Sequence, residues 1–137
     1  MSVTDVSILI VDADPAIGDK LTAQLAGDYT CSNAATAEWA VGLLTFHHFN
    51  LVITDERLPN MSGLALCAFV QRACPGTSVI VTSSSSGGWQ KTVAKRLGAV
   101  DYLSKPVDPS GLLKVIERAL VKQDSEKPGD DGSEYVS

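Results

Sequence analysis

Four short apolar runs of this sequence each lead into a polar side chain that could do chemistry: Asp12, Asp55, Ser83 and Lys105. In an open parallel sheet the carboxyl ends of the strands share one edge, and ligands bind in the crevice there. Two carboxylates, a hydroxyl and an ammonium are groups that stabilise a metal ion and a transferring phosphoryl group. The sequence therefore predicts phosphoryl and metal chemistry at one edge of a sheet.

Strand-like and helix-like patterns alternate along the chain, which indicates βαβ units. Turn and cap signals separate them, including Asp14-Pro15, Thr36 and Asp108-Pro109. Strands are predicted at 6–11, 29–33, 51–54, 78–82 and 100–103, and helices at about 15–26, 37–46, 63–73, 89–97 and 109–122. The expected fold is α/β, a doubly wound five-stranded parallel sheet with helices on both faces.

Residues from about 5 to 122 resemble the receiver domain of bacterial two-component response regulators, which has the flavodoxin-like fold. Asp55 stands at the phosphoacceptor position, and the Leu58-Pro59 pair and Gly63 match the loop that follows it. Ser83 matches the hydroxyl position of the family.

The resemblance implies a role for each further matching residue. Asp55 would become 4-aspartylphosphate, Ser83 and Lys105 would contact the phosphoryl group, and Tyr102 would be the aromatic switch residue. The Lys105-Pro106 bond is a candidate cis peptide, because cis bonds occur at tolerable cost before proline.

The resemblance also implies a Mg²⁺ site made by Asp12, Asp55 and the backbone carbonyl of Arg57. The family usually has a second acid directly after the first, and this chain has Ala13 there. A methyl group cannot bind a hard cation, which takes oxygen ligands. We therefore expect weak Mg²⁺ binding. Asp14 could compensate, although as a helix cap its carboxylate should point at backbone N–H groups.

Three functions compete on these residues. The favoured one is a stand-alone response regulator that accepts a phosphoryl group from a sensor histidine kinase or phosphotransfer protein. It would then switch a protein-binding surface, with a homodimer through the last two helices and the fifth strand as one outcome. The second is a degenerate receiver that binds an output protein without phosphorylation, as Ala13 suggests. The third is a haloacid-dehalogenase-like phosphatase, with Asp12 as nucleophile and Asp14 as general acid.

Composition narrows the function classes. The formal net charge of −5 over 137 residues argues against nonspecific nucleic-acid binding, which needs a basic surface. No segment has the length of a membrane span, and the first residues lack the features of a signal peptide. Three cysteines without metal-ligand spacing predict free thiols in a reducing cytoplasm. We expect one cytoplasmic domain at 1–122 and a disordered acidic tail at 123–137.

Overall fold

The computed structural model describes residues 5–85 and 88–125, which form one sheet between two layers of helices. The strands are β1 (Ser7–Val11), β2 (Thr30–Ala34), β3 (Leu51–Asp55), β4 (Ser78–Ser83) and β5 (Asp101–Ser104). They pair in the order β2-β1-β3-β4-β5, and all four pairs are parallel. The predicted doubly wound fold is confirmed.

Five helices connect the strands: α1 (Pro15–Leu25), α2 (Ala37–Phe46), α3 (Gly63–Ala73), α4 (Gly88–Arg96) and α5 (Pro109–Ser125). Side-chain caps determine where three of them begin. Asp14 accepts a hydrogen bond from the N–H of Ala16, and Thr36 and Ser62 cap α2 and α3 in the same way. Each cap satisfies an N–H group that has no partner inside the helix.

Two apolar cores lie on opposite faces of the sheet, because alternate residues of a strand point to opposite sides. Leu9 and Val11 of β1 face the core that includes α2 and α3. Ile8 and Ile10 face the core formed with α1 and α5. All four residues are buried, which explains why β1 is a continuous apolar run.

The switch in strand order falls between β1 and β3, whose other neighbours lie on opposite sides. A crevice forms at the carboxyl ends of strands that diverge in this way. Asp12 directly follows β1, and Asp55 is the last residue of β3. The topology therefore brings both predicted acids to this crevice.

Most element boundaries differ from those predicted by one residue or none. The larger difference is at the C-terminal end of α5, which continues to Ser125. The predicted boundary between domain and tail, after residue 122, therefore falls within this helix. The remaining part of the predicted tail, residues 126–137, lies outside the described residues. Within the described ranges, no helix combines the length and apolar character needed to cross a bilayer.

Candidate functional site

A single ammonium group joins the two predicted acids. Lys105 Nζ lies 2.7 Å from Asp12 Oδ2 and 3.3 Å from Asp55 Oδ2. The other oxygen of Asp12, Oδ1, accepts a hydrogen bond of 2.9 Å from the backbone N–H of Asp14. Lys105 comes from the loop after β5, where its peptide bond to Pro106 is cis. The fold thus places three of the four predicted residues within ion-pair distance.

The environment of Asp55 opposes its negative charge. Burial raises the pKa of this carboxyl above its ordinary value of 3.8, and the nearby charge of Asp12 raises it further. Lys105 and the backbone N–H of Arg57 act in the opposite direction, but the net shift is upward. A cation beside Asp55 therefore offsets both the cost of burying this charge and the repulsion from Asp12.

Lys105 has the complementary shift. Burial lowers its pKa, but hydrogen bonding and charge attraction from Asp12 and Asp55 together outweigh that effect and raise it above 10.5. Lys105 is therefore protonated and positively charged at neutral pH. Its side chain is 17% exposed, so a small anion can still reach it from solvent.

The donor set fits a divalent cation only in part. Asp12 and Asp55 present carboxylate oxygens to one point, now bridged by the Lys105 ammonium. Among the described residues, no group of three or more His, Cys, Asp or Glu could hold a metal ion. Ala13 is exposed at the mouth of the site and brings no oxygen from its side chain. Two carboxylates, a backbone carbonyl and waters would have to suffice for Mg²⁺.

Asp14 is engaged elsewhere. Its Oδ1 accepts the N–H of Ala16 at 3.0 Å, as expected of a helix cap. This contact weighs against Asp14 as a compensating metal ligand. It also weighs against Asp14 as the general acid of a phosphatase, because the contact holds this carboxyl group at the start of α1.

Ser83 and Tyr102 meet next to this charged group. Ser83 ends β4 and is 1% exposed, and its Oγ accepts the backbone N–H of Ser85 at 3.0 Å. Tyr102 is 8% exposed, and its hydroxyl donates to Glu56 Oε1 at 2.6 Å. Ser83 also interacts with the hydroxyl of Tyr102. The predicted hydroxyl and switch residues are thus neighbours in the structure.

The residues after Asp55 are held tightly. The N–H of Gly63 donates to the carbonyl of Glu56 at 2.9 Å, which brings the start of α3 against the end of β3. A Cβ atom on Gly63 would lie 2.0 Å from the carbonyl oxygen of Asp55. Glycine is therefore required at this position by close backbone approach. The Arg57 side chain reaches Ser85 Oγ at 3.1 Å and so connects this loop to the one after β4.

The sequence pattern did not identify Glu56 as a residue of this site. Glu56 is 8% exposed, although charged side chains are seldom buried without a partner. Its partner Tyr102 is 46 positions away, so no local pattern connects the two. The signal that was present is its place directly after a strand-end carboxylate.

Comparisons with known proteins agree with this geometry. The response regulator receiver domain family matches residues 8–117. The transcriptional regulatory protein GlrR of Escherichia coli K12 is 31% identical over 121 residues, which are 88% of this chain and 27% of that protein. The response regulator PilR of Pseudomonas aeruginosa is 34% identical over 113 residues, which are 82% of this chain and 25% of that protein.

A solved structure shows the same fold. A CheY-like response regulator receiver domain protein from Methanospirillum hungatei JF-1 matches with a TM-score of 0.84 and 33% identity, covering 88% of this chain and 98% of that one. The chain spans about a quarter of the length of the curated relatives GlrR and PilR. Fold, matched region and sequence identity together place the chain in the response regulator receiver domain family of two-component signalling systems.

Proposed function

We propose that this receiver domain accepts a phosphoryl group on Asp55 and uses it to switch a protein-binding surface. The observation that carries the proposal is the shared ammonium of Lys105, 2.7 Å from Asp12 and 3.3 Å from Asp55. This arrangement holds an ionised nucleophile beside a cation that can neutralise an incoming phosphoryl group. Receiver domains interact with histidine kinases or phosphotransfer proteins, and we propose a phosphohistidine of such a protein as the donor.

In the proposed transfer, an Asp55 oxygen forms the new bond to phosphorus while the bond from phosphorus to the histidine nitrogen breaks. Lys105 would contact one phosphoryl oxygen as a point charge, and the Ser83 hydroxyl would donate a hydrogen bond to another. Receiver domains generally bind Mg²⁺ at the phosphorylation site. Here Asp12, Asp55 and the carbonyl of Arg57 would hold it, and when bound it would neutralise charge between the carboxylate and the phosphoryl group.

The test is an intact-mass measurement after incubation with a small phosphodonor and Mg²⁺. We expect one added phosphoryl group in the natural sequence and none in Asp55→Asn, because the amide cannot form the acylphosphate. Asp28→Asn, an exposed acid remote from the site, should label normally. Labelling that persists in Asp55→Asn on Asp12 would contradict the proposal and favour the phosphatase alternative.

Ala13 favours a second candidate, a degenerate receiver that docks on its partner without phosphorylation. This candidate predicts no mass increase at any Mg²⁺ concentration, while binding of the partner is unchanged by Asp55→Asn. The retained contacts of Lys105 with both carboxylates support phosphorylation instead, because they keep the charges that the transfer requires.

The surface that would change on phosphorylation includes α4, β5 and α5. Its helices carry much of the exposed positive charge of this acidic chain: Lys91, Lys95, Arg96, Lys114, Arg118 and Lys122. Arg118 Nη2 lies 3.8 Å from Asp101 Oδ2, and Glu117 is also exposed on α5, so acids offset part of this charge. The basic residues named above still outnumber these two acids, so we expect the proposed homodimer through this surface to be weak and to strengthen with added salt. Sedimentation velocity at low and high salt tests this. A dimer that weakens with salt would contradict the charge argument.

Cytoplasmic location and a stand-alone organisation are also proposals. The three free thiols support a reducing compartment. Fractionation of cells tests the location, and the mass of the natural polypeptide tests whether the receiver stands alone.

A further inference from the structure

A buried carboxylate next to the phosphoacceptor holds the switch tyrosine. Glu56 directly follows Asp55, and its Oε1 accepts the hydroxyl proton of Tyr102 at 2.6 Å. Each of the two residues is only 8% exposed. A short hydrogen bond to a carboxylate in a buried site is worth more than an exposed one, because water does not compete for it.

The backbone of Glu56 is held on both sides. Its N–H donates to the carbonyl of Thr82 at 2.8 Å, and its carbonyl accepts the N–H of Gly63 at 2.9 Å. The first contact joins it to β4 and the second to α3. The carboxylate therefore projects from a point that the sheet and a helix both define, and the position of the Tyr102 ring is set by the residue beside Asp55.

The tyrosine hydroxyl also faces Ser83. Burial raises the pKa of Tyr102, and the hydrogen bond and charge of Glu56 raise it further, while Ser83 and Arg57 act in the opposite direction. The phenol therefore stays protonated and donates a hydrogen bond to Glu56. Its oxygen remains able to accept a hydrogen bond from Ser83, whose hydroxyl interacts with it.

We propose that Glu56 is a positioning residue that holds Tyr102 in its inward, buried position before phosphorylation. This inference rests on the proposed role of Asp55 as phosphoacceptor. When the phosphoryl group arrives, the Ser83 hydroxyl turns toward it and the Tyr102 ring stays in place. A ring that is already inward removes one conformational step from the switch, since no population of outward tyrosine has to be converted.

The first test needs no phosphoryl group. Ring-labelled tyrosine gives separate NMR signals for the three tyrosines, and Tyr102→Phe assigns the one of interest. We expect buried-ring signals in the natural sequence and a shift toward exposed-tyrosine values in Glu56→Ala. The ratio of inward to outward ring should fall on the order of tenfold or more, as expected for loss of a hydrogen bond to a charged group. Glu38→Ala, which removes an exposed glutamate of α2, should change nothing.

Glu56→Gln separates positioning from a general structural effect. The amide oxygen has nearly the same place and can still accept the tyrosine proton, so the buried-ring signals should return. Unchanged Tyr102 signals in Glu56→Ala would overturn the proposal, and so would a Gln variant that matches the Ala variant.

The second test uses beryllofluoride, a mimic of the aspartyl phosphoryl group, with Mg²⁺. The ring signals of Tyr102 should stay in place in the natural sequence when the mimic binds. Tyr102 signals that move on binding in the natural sequence from exposed-tyrosine values to buried-ring values would overturn the proposal, and this outcome can be read even if Glu56→Ala fails to fold. Binding itself is read from the fluorine signal. Absence of bound mimic would instead count against Asp55 as phosphoacceptor and would leave the resting-state test intact.

Discussion

At the residue scale, the Lys105 ammonium neutralises part of the negative charge of the resting site. A bound metal ion would do the same during the proposed phosphorylation. The ammonium lies between two carboxylates that would otherwise repel each other, with side chains only 5% and 13% exposed. Like charges at short distance in a partly buried site cost free energy unless a cation lies near both. A positive charge near Asp12 and Asp55 is therefore needed to keep both carboxylates ionised without a large cost in free energy.

Replacing this charge should destabilise the fold. We expect Lys105→Met to lower the free energy of unfolding by about 2–3 kcal/mol at neutral pH, because it leaves two unpaired acids. The pKa of Lys105 is raised, so its contribution is complete below 10.5 and is lost as pH rises through the folded-state value. Urea unfolding at several pH values measures the difference. Mg²⁺ should stabilise the variant more than the natural sequence.

Lys114→Met is the matched control, since Lys114 is exposed on α5. Its effect should stay within about 0.5 kcal/mol, as for other surface substitutions. A Lys105→Met variant as stable as this control would show that the bridge over Asp12 and Asp55 contributes nothing to folding.

Ala13 is the other residue whose substitution is informative. Ala13→Asp should tighten Mg²⁺ binding on the order of tenfold or more, because the number of charged ligands tunes affinity. Titration followed by tryptophan fluorescence or amide shifts measures the affinity. Asp14→Asn, which keeps an oxygen for the Ala16 N–H, should leave the affinity nearly unchanged. Equal affinity of Ala13→Asp and the natural sequence would mean that water or Asp14 already fills the missing position.

At the scale of the elements, the end of β3 and the start of α3 position Asp55. The two elements approach so closely that the Gly63 N–H bonds the Glu56 carbonyl, and a methyl group at Gly63 has no space. The cap by Ser62 Oγ on the N–H of Ala65 starts α3 at the same place. Asp55, the proposed phosphoacceptor, is thus held by backbone contacts as well as by its own side chain.

Gly63→Ala should therefore lower the free energy of unfolding by at least about 2 kcal/mol, the usual cost of overpacking. It should also slow phosphorylation, because the displaced atom is the carbonyl oxygen of Asp55. Gly42→Ala is the control, since a Cβ there meets nothing within 4 Å. Because Gly42 lies inside α2, Gly42→Ala should raise the free energy of unfolding by about 0.5–1 kcal/mol. Thermal unfolding of both variants tests whether Gly63→Ala destabilises the protein while Gly42→Ala stabilises it. A stabilised Gly63→Ala variant would contradict the predicted steric clash with the Asp55 carbonyl.

At the scale of the whole molecule, the C-terminal end of α5 is attached to the amino ends of the strands. Gln123 Nε2 donates to the carbonyl of Asn50 at 2.6 Å and to Ser78 Oγ at 2.9 Å. Asn50 in turn accepts the N–H of Ser7 and so touches β1. One side chain near the end of this helix thereby joins it to the edge of the sheet opposite the site.

Gln123→Ala should cost about 1–2 kcal/mol, since a hydrogen-bonded carbonyl and hydroxyl lose their shared donor. Because this contact lies at the opposite edge of the sheet, the rate of phosphorylation should not change. Denaturant unfolding together with the mass assay tests both statements. A loss of phosphorylation at unchanged stability would mean that α5 is coupled to the site in a way these contacts do not provide.

The sequence by itself determined the order of the elements and the edge at which the chemistry collects. Apolar period and cap residues such as Asp14 act over a few positions, and parallel strands necessarily place their carboxyl ends together. That geometry is why Asp12, Asp55 and Lys105 can be grouped from the pattern of strand ends alone. Even the weakly apolar second strand lies within one residue of its predicted bounds. In a βαβ alternation a strand must lie between the first and second helices, and the segment between them has room for only one.

The tertiary structure alone decided which groups share a hydrogen bond. Lys105 is 93 positions from Asp12, Tyr102 is 46 from Glu56, and Gln123 is 73 from Asn50. Bonds of this kind require two atoms to lie about 3 Å apart with the right alignment. Local pattern determines on which face or edge a residue lies, to within several ångströms. Only the packing of the helices on the sheet reduces that uncertainty to the length of a hydrogen bond, and so only the structure could show Glu56 as the partner of Tyr102.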